Sequence, residues 1–181
     1  MRRPALVVAG VLALAIAGFV LLLATSETGR SSSVNFEIVG KVAPPLSGET
    51  LAGEQFDLFE ERGNWVVINF FASWCVGCRV EHPELVTFAD RHEDDNVKLV
   101  AVMFGDTEER AIEFFAELGG EWPALVEDTG SIHIDYGVTG VPETLLVAPS
   151  GRVIRKWVGS SGVTADELDA AIETASGGDG D

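Results

Sequence analysis

The feature that most constrains this chain is an apolar run that leads almost directly into a pair of cysteines. Trp65 to Phe71 (WVVINFF) is nearly continuous in apolar residues, the pattern of a central strand covered on both faces. Cys75 and Cys78 follow at the start of a helical pattern running from about Val76 to His92. Val80, Leu85, Phe88 and Ala89 are its expected core-facing positions. These are the only two cysteines in 181 residues, which excludes a disulfide-stapled mini-protein and a four-cysteine zinc site.

Strand, cysteine pair and helix in this order make a reactive site. The first-turn amides of a helix lack partners and the macrodipole is positive there, so a thiolate at Cys75 is stabilised. Cys78, one turn further, can close a small ring with it. In such a dithiol Cys75 attacks a substrate disulfide, and Cys78 then resolves the mixed disulfide. Haem attachment would need His directly after the second cysteine, where this chain has Arg79. Zinc would need two more ligands. His82 is near, but His92 and His133 lie outside any obvious cluster, so neither metal nor another cofactor is expected. A purely structural role is disfavoured because so tight a loop removes little chain entropy.

The remaining pattern predicts one α/β domain. Val97 to Phe104 reads as a second buried strand and Thr107 to Leu118 as an amphipathic helix capped by Thr107 and ended by Gly119-Gly120. A short strand at 124–126 and a short helix at 131–136 follow. Thr144 to Val147 and Arg152 to Val158 flank Pro149-Ser150-Gly151 as a hairpin, and Thr164 to Thr174 is a closing helix with a capping box, Thr164 to Glu167. Leu46 to Asp57 suggests an additional N-terminal hairpin. The order implies a mixed sheet, parallel in its first part and ending antiparallel, with helices on both faces.

Ahead of this domain, Met1-Arg2-Arg3-Pro4 precedes a stretch without a charge from Ala5 to Ser26. Its apolar part, residues 5–24, would span roughly 30 Å as a helix, the hydrocarbon thickness of a bilayer. Arg2 and Arg3 should stay cytoplasmic, which makes the domain extracytoplasmic, a compartment where disulfides persist. A cleaved signal peptide is the competing reading, with small residues Ala24 and Ser26 near a cleavage point, although the run is longer than a usual signal core. The expected organisation is an anchor at 1–26, a linker at 27–37, the domain at 38–175 and a disordered tail at 176–181. Beyond residue 26 there are 10 basic and 29 acidic residues, a net charge of −19, so no nucleic-acid partner is expected.

Residues 69–83 (NFFASWCVGCRVEHP) resemble the active-site segment of extracytoplasmic thioredoxin-like proteins, the group of TlpA, ResA and CcmG (also called DsbE). Residues 136–144 (YGVTGVPET) resemble that family's second signature, closest to the CcmG branch, and Ala43-Pro44-Pro45-Leu46 with Gly48 and Gly53 fits as well. The resemblance covers roughly residues 38 to 174. It implies a thioredoxin fold with an N-terminal hairpin and a helix–strand insert, preceded by a transmembrane helix. It implies also a single-pass membrane protein that reduces disulfides of apocytochrome c or a maturation partner, with an integral-membrane thiol reductant as electron donor. General or copper-site thiol exchange, and a metal- or haem-handling chaperone, remain as alternatives.

By this resemblance Pro142 is the cis-proline facing the cysteines. Trp74, Val141 and Glu143 line the rim, with a core role as the alternative for Trp74 and an ordinary surface acid for Glu143. Asn69 stands where thioredoxin has a buried Asp, which directs proton handling to Glu81, three residues after Cys78 on the same side of the helix. There a carboxylate raises the thiol pKa and assists proton transfer, unless it is only a solvated helix acid. The family often has Pro before the second cysteine, and this chain has Gly77, which leaves the turn less stiff.

Overall fold

The computed structural model describes residues 38–93, 95–127 and 131–177, together with Leu12 and Ile16. The chain divides into two units, Met1–Ser33 and Val34–Asp181. Of the first, Leu12 and Ile16 are helical and exposed. The expected anchor and linker otherwise lie outside the described residues, as does the tail beyond Gly177. Among the described residues no helix is long and apolar enough to cross a membrane.

The second unit is built on a five-stranded sheet. Its strands are β3 (Trp65–Phe71), β4 (Val97–Met103), β5 (Ala124–Leu125), β6 (Glu143–Val147) and β7 (Val153–Val158), in spatial order β5-β4-β3-β6-β7. The first three are parallel, and β6 and β7 join antiparallel, so the mixed sheet is as the sequence order implies. A separate hairpin, β1 (Ser47–Glu49) with β2 (Gln55–Asp57), precedes it. Gly151 takes φ +81° at the tip of the β6–β7 turn, a conformation that glycine alone adopts without strain.

Strand alternation divides the core. Val66, Ile68 and Phe70 point to one face, where Leu145, Val147, Tyr136, Leu46 and Leu58 meet them. Val67, Asn69 and Phe71 point to the other. That second face carries α1 (Val76–Arg91), α2 (Glu108–Leu118) and α4 (Ala165–Gly177). The five-residue α3 (Ser131–Asp135) contributes Ile132 to the first face, which is otherwise covered by the hairpin and irregular chain. Helices therefore flank both faces, but unequally.

Two local expectations need correction. The buried stripe of α1 is Cys78, Glu81, His82, Leu85 and Phe88, while Val80 is 65% exposed and Ala89 only half-buried. The stripe follows the helical period, but two of its members are polar, so reading apolar residues alone rotates it onto Val80. At the other end α4 runs past the expected helix end at Thr174 to Gly177, with Ser176 Oγ donating to the Ile172 carbonyl. Its capping box is half made. Thr164 Oγ1 accepts from Glu167 N, while the Glu167 carboxylate pairs with Arg155.

This placement of the stripe can be checked by denaturation. Leu85→Ala should cost about 2–5 kcal/mol through the cavity it leaves, whereas Val80→Ala should stay within about 0.5 kcal/mol. Comparable losses at both positions would contradict the orientation of α1.

Candidate active site

The cysteine pair is held at the helix terminus that the sequence indicates. Cys75 is the N-cap of α1, and its Sγ accepts a hydrogen bond from Cys78 N at 3.0 Å. The two are joined by a disulfide, with Cα atoms 5.3 Å apart. A sulfur at this position occupies the role an Asp or Ser oxygen plays at other N-caps, and negative charge on it is favoured by the free amides and the dipole.

The turn is fixed from two further directions. On one side Asp106, in the loop after β4, accepts from Ser73 N at 2.6 Å and from Thr107 N at 2.9 Å. The Trp74 indole donates to the Gly105 carbonyl at 3.1 Å while the side chain stays 55% exposed. Trp74 is thus at the surface next to Cys75 rather than in the core. On the other side Val141-Pro142 is a cis peptide, and the Val141 carbonyl oxygen lies 3.4 Å from Cys75 Sγ. Gly77 packs under this proline so closely that an added Cβ would stand 3.0 Å from Pro142 Cδ. The glycine therefore serves a close approach in addition to any loss of stiffness.

Beneath the disulfide lies a polar cluster inside an apolar layer. Asn69 and Thr144 are register partners on β3 and β6, so both point to the α1 face. Glu81 comes down on them from α1 and is 1% exposed. Its Oε1 accepts from Asn69 Nδ2 at 2.9 Å and from Thr144 Oγ1 at 2.7 Å, and Asn69 Nδ2 also donates to Thr144 Oγ1 at 2.9 Å. Oε2 is buried with no hydrogen-bond partner. Burial pushes the carboxyl pKa from 4.5 up to about 7, against the lowering effect of the Thr144 hydrogen bond.

Glu143 does not sit at the rim. It is buried and forms an ion pair with Lys156 Nζ at 2.7 Å, and its Oε1 accepts from Thr139 N at 2.9 Å. Glu143 is the register partner of Phe70, so the pleat turns it inward with Phe70 and Leu145. Thr144, Asp106 and Lys156 are functional-site neighbours that the sequence reading does not single out. Thr144 is recoverable from pairing β6 against β3, whereas Asp106 and Lys156 carry no local signal. His82 sits between α1 and α2 among Phe114, Phe115 and Trp122, with Nε2 at 2.8 Å from the Gly119 carbonyl oxygen, and burial holds it below the usual imidazole value.

A disulfide at a strand–helix junction, facing a cis-proline across a mixed sheet, defines a thioredoxin-fold dithiol protein. Residues 39–156 match the AhpC/TSA family. The chain is 35% identical over 147 residues to the thiol:disulfide interchange protein HelX of Rhodobacter capsulatus, covering 80% of each chain. It is 28% identical over 166 residues to the thiol:disulfide interchange protein DsbE of Escherichia coli (strain K12), covering 88% of this chain and 87% of that one. Among solved structures, a putative thiol:disulfide interchange protein DsbE from Chlorobium tepidum superposes with a TM-score of 0.69 at 26% identity, over 76% of this chain and 96% of that one. The chain belongs to the AhpC/TSA family and, within it, to the thiol:disulfide interchange proteins.

The raised Glu81 pKa has a stability consequence. Between pH 4.5 and about 7 the folded chain keeps a proton that the unfolded chain has released. Stability therefore falls as pH rises through this window, by about 3 kcal/mol in total. In urea titrations of the oxidised protein at pH 5 and pH 8, Glu81→Gln should remove most of that difference. An equal pH dependence in the variant would contradict the assignment.

Proposed function

We propose that this chain reduces disulfides of proteins outside the cytoplasm through Cys75 and Cys78, and that its substrates are apocytochrome c or a partner in cytochrome c maturation. The observation that carries this reading is the disulfide at the α1 N-cap, set between the Val141-Pro142 segment and the buried Glu81. The names of the relatives support thiol–disulfide interchange as the reaction. The branch resemblance of residues 136–144 supports the maturation role.

In the reaction the Cys75 thiolate attacks one sulfur of the substrate disulfide. That bond breaks, a mixed disulfide forms, and the released substrate sulfur takes up a proton. The Cys78 thiol then gives up its proton, attacks Cys75 Sγ and releases the second substrate sulfur, so two electrons pass to the substrate, whose two thiols take one proton from Cys78 and one from solvent. Glu81 is the group suited to take the Cys78 proton, since a carboxyl near pKa 7 can hold or release one at working pH. Its negative charge also opposes thiolate formation, which raises the thiol pKa and makes the disulfide harder to reduce. Trp74 and Val141 offer the contact surface for the incoming polypeptide.

The domain is proposed to be tethered by residues 1–26 through the linker at 27–37, with the N-terminus cytoplasmic and the dithiol re-reduced by an integral-membrane thiol donor. Ile38 onward runs beside Val153, with Gly40 N donating to the Val153 carbonyl. Val153 lies at the end of the sheet opposite Cys75, about 20 Å away along β3.

A redox equilibrium against glutathione tests the direction of electron flow. The wild type should lie well below the glutathione couple, and Glu81→Gln should move the potential upward. A wild-type potential near about −120 mV, that of a strong dithiol oxidant, would contradict the reductant assignment.

A further inference from the structure

The sheet face that carries Ile68, Phe70 and Leu145 is apolar, yet it ends in a buried ion pair. Lys156 on β7 is the register partner of Leu145, which makes it the diagonal neighbour of Glu143 on the same face. Both side chains are essentially without solvent contact. Removing two charges from water is costly, and an apolar pair of similar volume would hold the strands together at lower cost. The pair therefore calls for an explanation beyond stability.

The hydrogen bonds supply one. Lys156 Nζ donates to the Tyr136 carbonyl at 3.2 Å and to the Gly137 carbonyl at 2.8 Å, and its third contact is the Glu143 carboxylate. Glu143 Oε1 accepts from Thr139 N at 2.9 Å, from Thr139 Oγ1 at 3.3 Å and from Gly140 N at 3.3 Å. The two side chains thus grip residues 136 and 137 at one end and 139 and 140 at the other. The next residue is Val141, whose carbonyl faces Cys75 Sγ. A segment with two glycines would otherwise have many backbone states.

We propose that Lys156 is a positioning residue for substrate. Together with Glu143 it fixes residues 136–140, so that an extended polypeptide carrying the target disulfide meets a preset Val141 backbone beside Cys75. The inference rests on the reading that the chain reduces protein disulfides. The ion pair acts on polypeptide capture and leaves the sulfur chemistry, which belongs to Cys75, Cys78 and Glu81, unchanged.

The test is single-turnover oxidation of the reduced full-length protein by increasing concentrations of a peptide with one disulfide. It reads the half-saturating concentration and the limiting rate separately. Lys156→Met should raise the half-saturating concentration about tenfold and hold the limiting rate within about twofold. Lys156→Arg, which keeps the charge, should recover most of the loss. If Lys156→Met does not fold, the double variant Glu143→Gln with Lys156→Met, which leaves no unpaired charge, should show the same split. An unchanged half-saturating concentration, or a limiting rate that falls in parallel with capture, would overturn the proposal. A wild type that the peptide does not oxidise would instead remove the underlying reading, and the proposal with it.

Discussion

The active end of the molecule depends on one buried contact, the carboxyl of Glu81 laid on Asn69 and Thr144. The sheet brings those two residues side by side by register, and α1 brings the carboxyl down by its helical period. One oxygen is satisfied and the other has no partner. In such surroundings ionisation is costly, so the group holds its proton up to about pH 7. The same contact sets the roll of α1, because the helix must turn Glu81 inward with Leu85 and Phe88. That roll in turn presents Cys78 to the interior and leaves Val76 and Val80 exposed.

Around this base the disulfide is held by loops rather than by the sheet itself. Asp106 and Gly105 fasten the turn from the β4 side, and Val141-Pro142 closes on it from the β6 side. The close approach of Pro142 to Gly77 seats the β6-side segment on the first turn of α1. Each loop is anchored by a buried or half-buried charge, Asp106 for one and the Glu143–Lys156 pair for the other. In the proposed function, reactivity and substrate contact fall to different groups: the helix terminus and Glu81 act on the sulfurs, while the segments beside them meet the substrate.

Much of this was legible in the sequence because the signals were local. The apolar run at 65–71, the cysteines behind it, the capped helix from Thr107 and the turn at Gly151 each declare themselves within a few residues. Glu81 could be named from its spacing to Cys78. What the sequence hid were side chains whose partners lie far along the chain. Apolar patterning turns Val80 to the core because the true stripe contains Glu81 and His82, polar residues made tolerable by Asn69, Thr144 and Gly119. The place of Glu143 beside Pro142 points to the rim, and its true partner Lys156 stays hidden because it is on the next strand and looks like an ordinary strand lysine. Buried polar pairs are the class of contact that hydrophobic patterning cannot register.

The central claim is that a buried carboxyl beneath the dithiol keeps its proton to near neutral pH. Carbon-13 NMR of the Glu81 side-chain carboxyl, assigned by comparison with Glu81→Gln and titrated in the oxidised full-length protein, measures this directly. The structure predicts a midpoint near pH 7. A midpoint near 4.5, the ordinary value for such a group, would contradict it.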